Sequence, residues 1–235
     1  MNPILRGTAL FAACVFATIA AVAQEGQMYT PGPFDSLDIS GVSRIELAQG
    51  ERDQVFVVGD QNAQRSVKLS LHAGNLRVRN DDSWKFWNND PVQLRIQMRD
   101  IKRLLISGAS DINAPRPIRS DSLLVRISGQ GGVRLADLGA KQLNFMISGA
   151  GEGELGGKVG DLQLNVSGKG KLIADKLKAV RATVHISGIG NADVWATDDL
   201  NVIVSGIGTV NYWGLPRVHR ISSGMSEVNA KGDKK

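Results

Sequence analysis

Residues 185–195 read HISGIGNADVW and residues 203–213 read IVSGIGTVNYW: the same interrupted run of β-branched residues, eighteen positions apart. Apolar residues alternating with polar ones make a strand with one buried face. The Ser-Gly inside the run therefore marks a place where the backbone bends or is closely approached. Working outward, Ser-Gly recurs at 40–41, 107–108, 128–129, 148–149, 167–168, 187–188, 205–206 and 223–224, and from Ser107 the spacings are 21, 20, 19, 20, 18 and 18 residues. A tandem repeat of this length is one coil of a solenoid.

Aligned on the serine, the copies show which side of each strand is interior. The residue before it is Ile39, Ile106, Ile127, Ile147, Val166, Ile186, Val204 and, in the last copy, Ser222. Three before it stand Leu37, Leu104, Val125, Phe145, Leu164, Val184, Val202 and, again deviant, Arg220. Even offsets carry Arg126, Asn165, His185, Asn191, Asp193 and Lys171. The glycine after the serine and the residue three after it, such as Ser110, Gly190 or Gly208, share the odd offsets and are predicted to face inward. One coil buries too few apolar side chains to offset the entropy of ordering about twenty residues, so the coils must stack. The prediction is an all-β, right-handed parallel β-helix of about 18–21 residues per coil. The drifting repeat length disfavours the left-handed hexapeptide form, and propeller blades need about 40 residues.

Residues 24–106 are less regular. DQVFVVGD (53–60), VKLSLHAGNLRVRN (67–80) and PVQLRIQMRD (91–100) alternate as strands, with a hairpin turn at Ala73-Gly74-Asn75, but only Ser40-Gly41 carries the signature. Irregular first coils, continuous with the solenoid, are expected. No linker interrupts residues 34–230, which read as one domain. At the front, Arg6, the apolar stretch LFAACVFATIAAV and Ala21-Val22-Ala23 before Gln24 have the form of a signal peptide spanning 1–23 and cleaved after Ala23. A periplasmic or cell-surface location follows. Segment 24–33 and the basic KGDKK at 231–235 read as flexible tails.

Composition narrows the function. Cleavage would remove the single cysteine, Cys14, leaving no disulfide, thiolate nucleophile or sulfur-ligated zinc. It also removes one of 28 basic residues and none of the 23 acidic ones. The remaining excess is small and scattered, which argues against nucleic acid as a partner. No further segment is apolar for long enough to span a membrane.

The recurrent ISGxG and SGIGNADV elements, together with the opening FDSLDISGVSRIEL at 34–47, resemble the family described as "Putative auto-transporter adhesin, head GIN domain", over roughly Phe34 to Ala230. The resemblance implies an exported, envelope-associated β-helix of unknown function, and it brings no catalytic residues with it.

The residues themselves offer little chemistry. Asp111 and Glu152 share an offset two coils apart, at the edge of the range used by inverting glycosidases, with Gly132 between them. His72, His185 and His219 fall in different coils, and SGKGK at 167–171 is a repeat copy rather than a phosphate loop. Aromatic residues carry more information. Trp84, Phe86 and Trp87 crowd into the polar insertion NDDSWKFWNND, while Trp195 and Trp213 share one offset in consecutive coils. These five are the candidate contacts for a partner, as exposed aromatic platforms; the alternative is a corner ladder and an end cap. The reading is a non-enzymatic binding or structural module, adhesin-like, requiring no cofactor, with an envelope glycan or protein as partner. Its alternatives are a polysaccharide-active β-helix enzyme and a scaffold that self-associates through its helix ends.

Overall fold

The alternating runs fold as parallel strands, each laid on the same run of the coil before it. The computed structural model describes residues 25–80 and 91–234, and it is a parallel β-solenoid. The signal-peptide expectation for 1–23 lies outside the described residues, as do Trp84, Phe86 and Trp87.

In the regular part, β10 (Ile118–Ile127), β11 (Gln130–Ile147), β12 (Ala150–Val166), β13 (Lys169–Ile186), β14 (Ile189–Val204), β15 (Ile207–Trp213), β16 (Arg217–Ser222) and β17 (Met225–Ala230) follow chain order, in six turns between Ser107 and Ser223. Register is direct: Ile106, Ile127, Ile147, Val166, Ile186 and Val204 pair in succession, all buried. Parallel pairing puts like on like, so each interior offset becomes a continuous apolar row.

Each coil has two sides of fixed length and one that varies. Six residues before the serine and seven after it stay in register, and the length drift is confined to a third side. That side spans 115–121, 136–141, 156–160, 175–180, 195–198 and 213–216, which is seven, six, five, six, four and four residues. The register shifts at Leu135/Leu138, Glu154/Gly156 and Ala174/Lys178 fall where it begins.

The Ser-Gly corner has a specific cause. The amides of Ser128 and Gly129 both donate to the Ile106 carbonyl of the coil below, at 2.8 and 3.3 Å, and Ser128 Oγ donates to it at 3.2 Å. The glycine is required because a Cβ at Gly168, Gly188 or Gly206 would come within 2.0 Å of the carbonyl oxygen of the corner glycine beneath. This corrects the sequence reading: the corner glycine faces the neighbouring coil, not the interior. The residue three after the serine does face inward, and a Cβ at Gly190 would stand 3.2 Å from Val166 Cγ1.

The first half is woven differently. Its elements are β1 (Gly26–Tyr29), β2 (Ser36–Ser40), β3 (Val42–Gln49), β4 (Gln54–Val58), α1 (Gln61–Ser66), β5 (Val67–His72), β6 (Asn75–Asn80), β7 (Val92–Met98), β8 (Arg103–Ile106) and β9 (Ala109–Ala114). The β2–β3 pair lies between β6–β7 on one side and β8–β9 on the other, all parallel. Spatial order here departs from chain order. Beyond β6–β7 the sheets end in antiparallel strands: β5 pairs with β6 through a tight turn at Ala73 and Gly74, both with positive φ, and β1 and β4 extend the other side. Helix α1, capped by Asp60 accepting from Asn62 N and Ala63 N, joins β4 to β5. Segment 24–33 thus contains a paired strand, where the sequence suggested a flexible lead.

Candidate functional site

The exterior is built from rows of side chains spaced by one coil, about 4.8 Å apart, and several charges on it are matched to a directly opposed partner. Arg77–Asp38 at 2.9 Å, Arg134–Glu154 at 2.7 Å, Arg181–Asp161 at 2.6 Å and Arg217–Asp199 at 2.9 Å are each in-register neighbours. On the third side, Arg119–Asp137 and Lys141–Asp121 do the same across adjacent coils, both at 2.8 Å. Hydrogen bonds from the partner hold the Asp121 and Asp137 carboxyls below the usual carboxylate value and raise Lys141 and Arg119. Individually such exposed pairs add little stability. Together they join neighbouring coils and balance charge along these rows.

The paired-carboxylate idea meets the same chemistry. Gly132 pairs with Asp111 below and Glu152 above, as the repeat required. Its missing side chain leaves a notch between them, but Asp111 Oδ1 accepts from Gly132 N at 2.8 Å, and Glu152 lies 3.6 Å from Lys171. Both carboxylates are engaged in holding coils together. Among the described residues, no group of three or more His, Cys, Asp or Glu could hold a metal ion, and His185 and His219 are exposed strand residues two coils apart.

Among the described residues, two features of the last coils break the regular exterior. The first is apolar. Two after the serine stand Ala109, Gln130, Ala150 and Lys169, and then Ile189, Ile207 and Met225, which pair in register and are 55%, 47% and 70% exposed. Across the corner, Ile203 pairs with Ile221, which is 67% exposed. Large aliphatic side chains stacked in water on adjacent strands are unusual unless something covers them.

The second is aromatic, and it follows from the third side shortening. When the six residues 175–180 are overlaid by the four residues 195–198, Ala174 pairs with Val194 and Lys178 with Trp195, so Asp175, Lys176 and Leu177 are left without partners in the coil above. Trp195 and Trp213 pair directly over this bulge, both half-buried. The corner ladder and the partly exposed platform of the sequence reading are here one object. Lys178 Nζ lies 5.4 Å from the centre of the Trp195 ring. The chain then returns across the ladder: Lys231 N donates to Tyr212 O, and Gly214 N to Gly232 O, at 2.8 and 3.0 Å. Gly214 has φ +96°, and a Cβ there would lie 2.0 Å from Ala196 O. This places Lys234 Nζ 4.4 Å from the Trp213 ring centre and 5.8 Å from that of Trp195. The ammonium donates to Asp175 Oδ2 at 2.8 Å and to the Asp175 carbonyl. The sequence identified the tryptophans, but Asp175 and Lys234 were not legible: one is an unpaired residue of a bulge, the other part of a segment read as a flexible tail.

The structure of the last coil also explains the two deviant positions of its copy. Arg220, Ser222 and Ser226 occupy interior offsets of β16 and β17, whose pairing in this structure is to β14 and β15. Arg220 Nη2 donates to Ser226 O at 3.0 Å and to Ser226 Oγ at 3.2 Å, and the hydroxyls of Ser222 and Ser226 are 2.7 Å apart. A polar lid therefore closes the end of the apolar interior.

These features define a class: a parallel β-solenoid whose outer rows hold the coils together and whose irregular surface is concentrated in its final turns. Within that class, the family model "Putative auto-transporter adhesin, head GIN domain" matches residues 33–216, and the chain belongs to that family. Among solved structures it is similar to a putative adhesin from Bacteroides fragilis NCTC 9343, at 21% identity and a TM-score of 0.81, covering 90% of this chain and 98% of that one. A putative adhesin from Parabacteroides distasonis ATCC 8503 is 18% identical, with a TM-score of 0.70 and 88% and 96% coverage. A putative lipid binding protein from the same organism is also 18% identical, with a TM-score of 0.66 over the same shares. At these identities the likeness is one of fold. A search of curated proteins gives no match. No helix among the described residues is long and apolar enough to cross a membrane.

Proposed function

We propose that the protein is an exported, non-catalytic adhesive module of the cell envelope that meets its partner with its last three coils. The observation that carries this reading is the exposed row Ile189, Ile207 and Met225 with Ile221 beside it. A row of aliphatic side chains at strand spacing suits a protein surface better than a sugar, which is met more often by the flat face of an aromatic ring. Export is supported by the signal-like residues 1–23 and by the family, and an adhesive role by the family description. Trp195 and Trp213 lie on the same coils and form a second contact, and Trp84, Phe86 and Trp87 of the polar insertion are further candidates on their sequence alone.

The test is adhesion of labelled bacterial envelope fractions to immobilised residues 24–235, compared with the double variant Ile189→Glu, Ile207→Glu and with Lys171→Glu as a charge control. A loss of fivefold or more, on the order of 1 kcal/mol, is expected for the double variant alone, with unchanged circular dichroism. Equal adhesion by all three removes the apolar row as the contact. Light scattering over a concentration series separates a partner from a second copy of the chain.

A further inference from the structure

We propose that Trp195, Trp213 and Asp175 form a binding site for a primary ammonium group, which segment 231–234 fills with its own Lys234. The inference rests on reading the last coils as the contact surface and names the chemistry that one part of it recognises.

The geometry is that of a built cation site rather than a surface ion pair. Two indole rings stacked on consecutive coils present their faces to one nitrogen, at 4.4 and 5.8 Å, within the range where a ring quadrupole attracts a cation. The Asp175 carboxylate and its own carbonyl accept hydrogen bonds from the same nitrogen. The Lys234 and Asp175 side chains are only 26% and 25% exposed, so solvent screens this pair less than it screens Lys141–Asp121, which is 80% and 84% exposed. The site exists because of the shortened third side. A bulge that leaves Asp175 unpaired and two residues of one type at the following offset are properties of the β13–β14–β15 stack, not of the segment that fills it. Trp195 Nε1 is buried and has no hydrogen-bond partner, so the filling segment leaves one donor of the cage unanswered.

The donor set fixes the ligand. Two oxygen acceptors ask for N–H groups, so a primary ammonium binds better than a quaternary one. Lys178, also over Trp195 at 5.4 Å, repels a second positive charge. The ligand is therefore a single ammonium on a flexible stem, the side chain of a lysine in a partner. Lys234 competes at the effective concentration of a tethered group, on the order of millimolar, and makes the site self-latched.

The experiment follows the indole N–H signals of Trp195 and Trp213 by ¹H–¹⁵N NMR, assigned with Trp195→Phe and Trp213→Phe. Residues 24–235 and the Lys234→Ala variant are titrated with Nα-acetyl-lysine-N-methylamide, tetramethylammonium chloride and sodium chloride. The expected result is a saturable shift in Lys234→Ala, with Kd on the order of millimolar. The intact chain should need at least about twofold more ligand, as a tethered competitor at millimolar effective concentration requires, tetramethylammonium should act several-fold more weakly, and Asp175→Asn in the Lys234→Ala background should abolish the response. Should Lys234→Ala prove poorly folded by circular dichroism, Lys234→Gln keeps the stem and removes the charge. Equal responses to the lysine derivative and to sodium chloride overturn the site, and equal affinities of intact and latch-free protein overturn the latch. Because the readout is local to the indoles, its outcome is independent of whether envelope adhesion is lost in the Ile189, Ile207 variant.

Discussion

The two ends of the solenoid meet the same difficulty in opposite ways. At the first end, β6 and β7 are continued by the antiparallel strands β5, β4 and β1, and the interior stays apolar up to the half-buried Val67, Leu69 and Leu71. At the other, β16 and β17 pair on one face only, and the interior offsets turn polar at Arg220, Ser222 and Ser226. A sheet edge invites another strand. One end removes the invitation by covering the apolar stack, the other by making the stack's last layer uninviting. The difference teaches that the ends are not interchangeable: among the described residues, the second is where exposed aliphatic side chains stack in a row on adjacent strands, and the candidate contacts are beside it.

The sharpest way to break this comparison is to ask the same steric question in the middle and at the open end. Gly168 and Gly224 face identical geometry, a carbonyl oxygen 2.0 Å from the absent Cβ. Gly168→Val should cost about 3 kcal/mol or more, the upper range for overpacking, because coils press on it from both sides. Gly224→Val should cost less than half as much, since the last coil can lift. Denaturant melts decide it, and equal losses would mean the open end is as constrained as the middle. Within the regular stack, Gly190→Leu should cost roughly 1–3 kcal/mol, and an unchanged melting temperature would contradict its inward setting.

How much of this was legible in the sequence differs between the halves for the same physical reason. Where chain order equals spatial order, stacking puts identical offsets in contact, so Ile127, Ile147 and Val166 announce their own row. The Ser40-Gly41 signature aligns β2–β3 with β8–β9, so Ser43 meets Ser110 across 67 positions at the same offset, whereas the placement of β6–β7 on the other side of β2–β3 left no such trace. The corner glycine was recognised but misdirected, because alternation distinguishes inside from outside and is silent about the direction along the stack.

The seam between the halves offers a smaller test. Ser110 Oγ is buried, accepts from Ser43 N at 3.1 Å and donates to Gly41 O at 3.1 Å. Ser110→Ala leaves the Ser43 amide without that acceptor and should cost about 1–3 kcal/mol. A loss confined to the seam would appear as faster hydrogen exchange in β2 and β3 with β13 unaffected.

At the open end, Arg220→Ile should change stability by only a few tenths of a kcal/mol, as for exposed sites. Its effect should appear instead as concentration-dependent light scattering, since it restores the apolar row the arginine interrupts. A monodisperse variant would show that the charge is not what keeps the edge unpaired.

The smallest expected effect is one of pH. Lys102 Nζ donates to Asp35 Oδ2 at 2.8 Å, joining the start of β2 to that of β8, and this bond lowers the Asp35 pKa below 3.8. With the folded value depressed, the contribution is complete above the unfolded pKa and lost as pH falls through 3.8 and below. Lys102→Ala should therefore lower stability slightly at neutral pH and leave it unchanged at the acid end, flattening the acid limb, as measured by urea melts between pH 2 and pH 7.

The adjustable third side has a practical consequence. Nature has already varied its length from seven residues to four within one molecule, without disturbing the thirteen or so positions that carry the register. The bulge where that side begins, such as Ala136 between Leu135 and Leu138, is thus a natural splice point. A foreign loop grafted there would be displayed at a known height and bearing on a rigid rod, and grafts in successive coils would stand apart by whole multiples of the strand spacing. The molecule is, in that respect, a ruler on which peptides could be mounted.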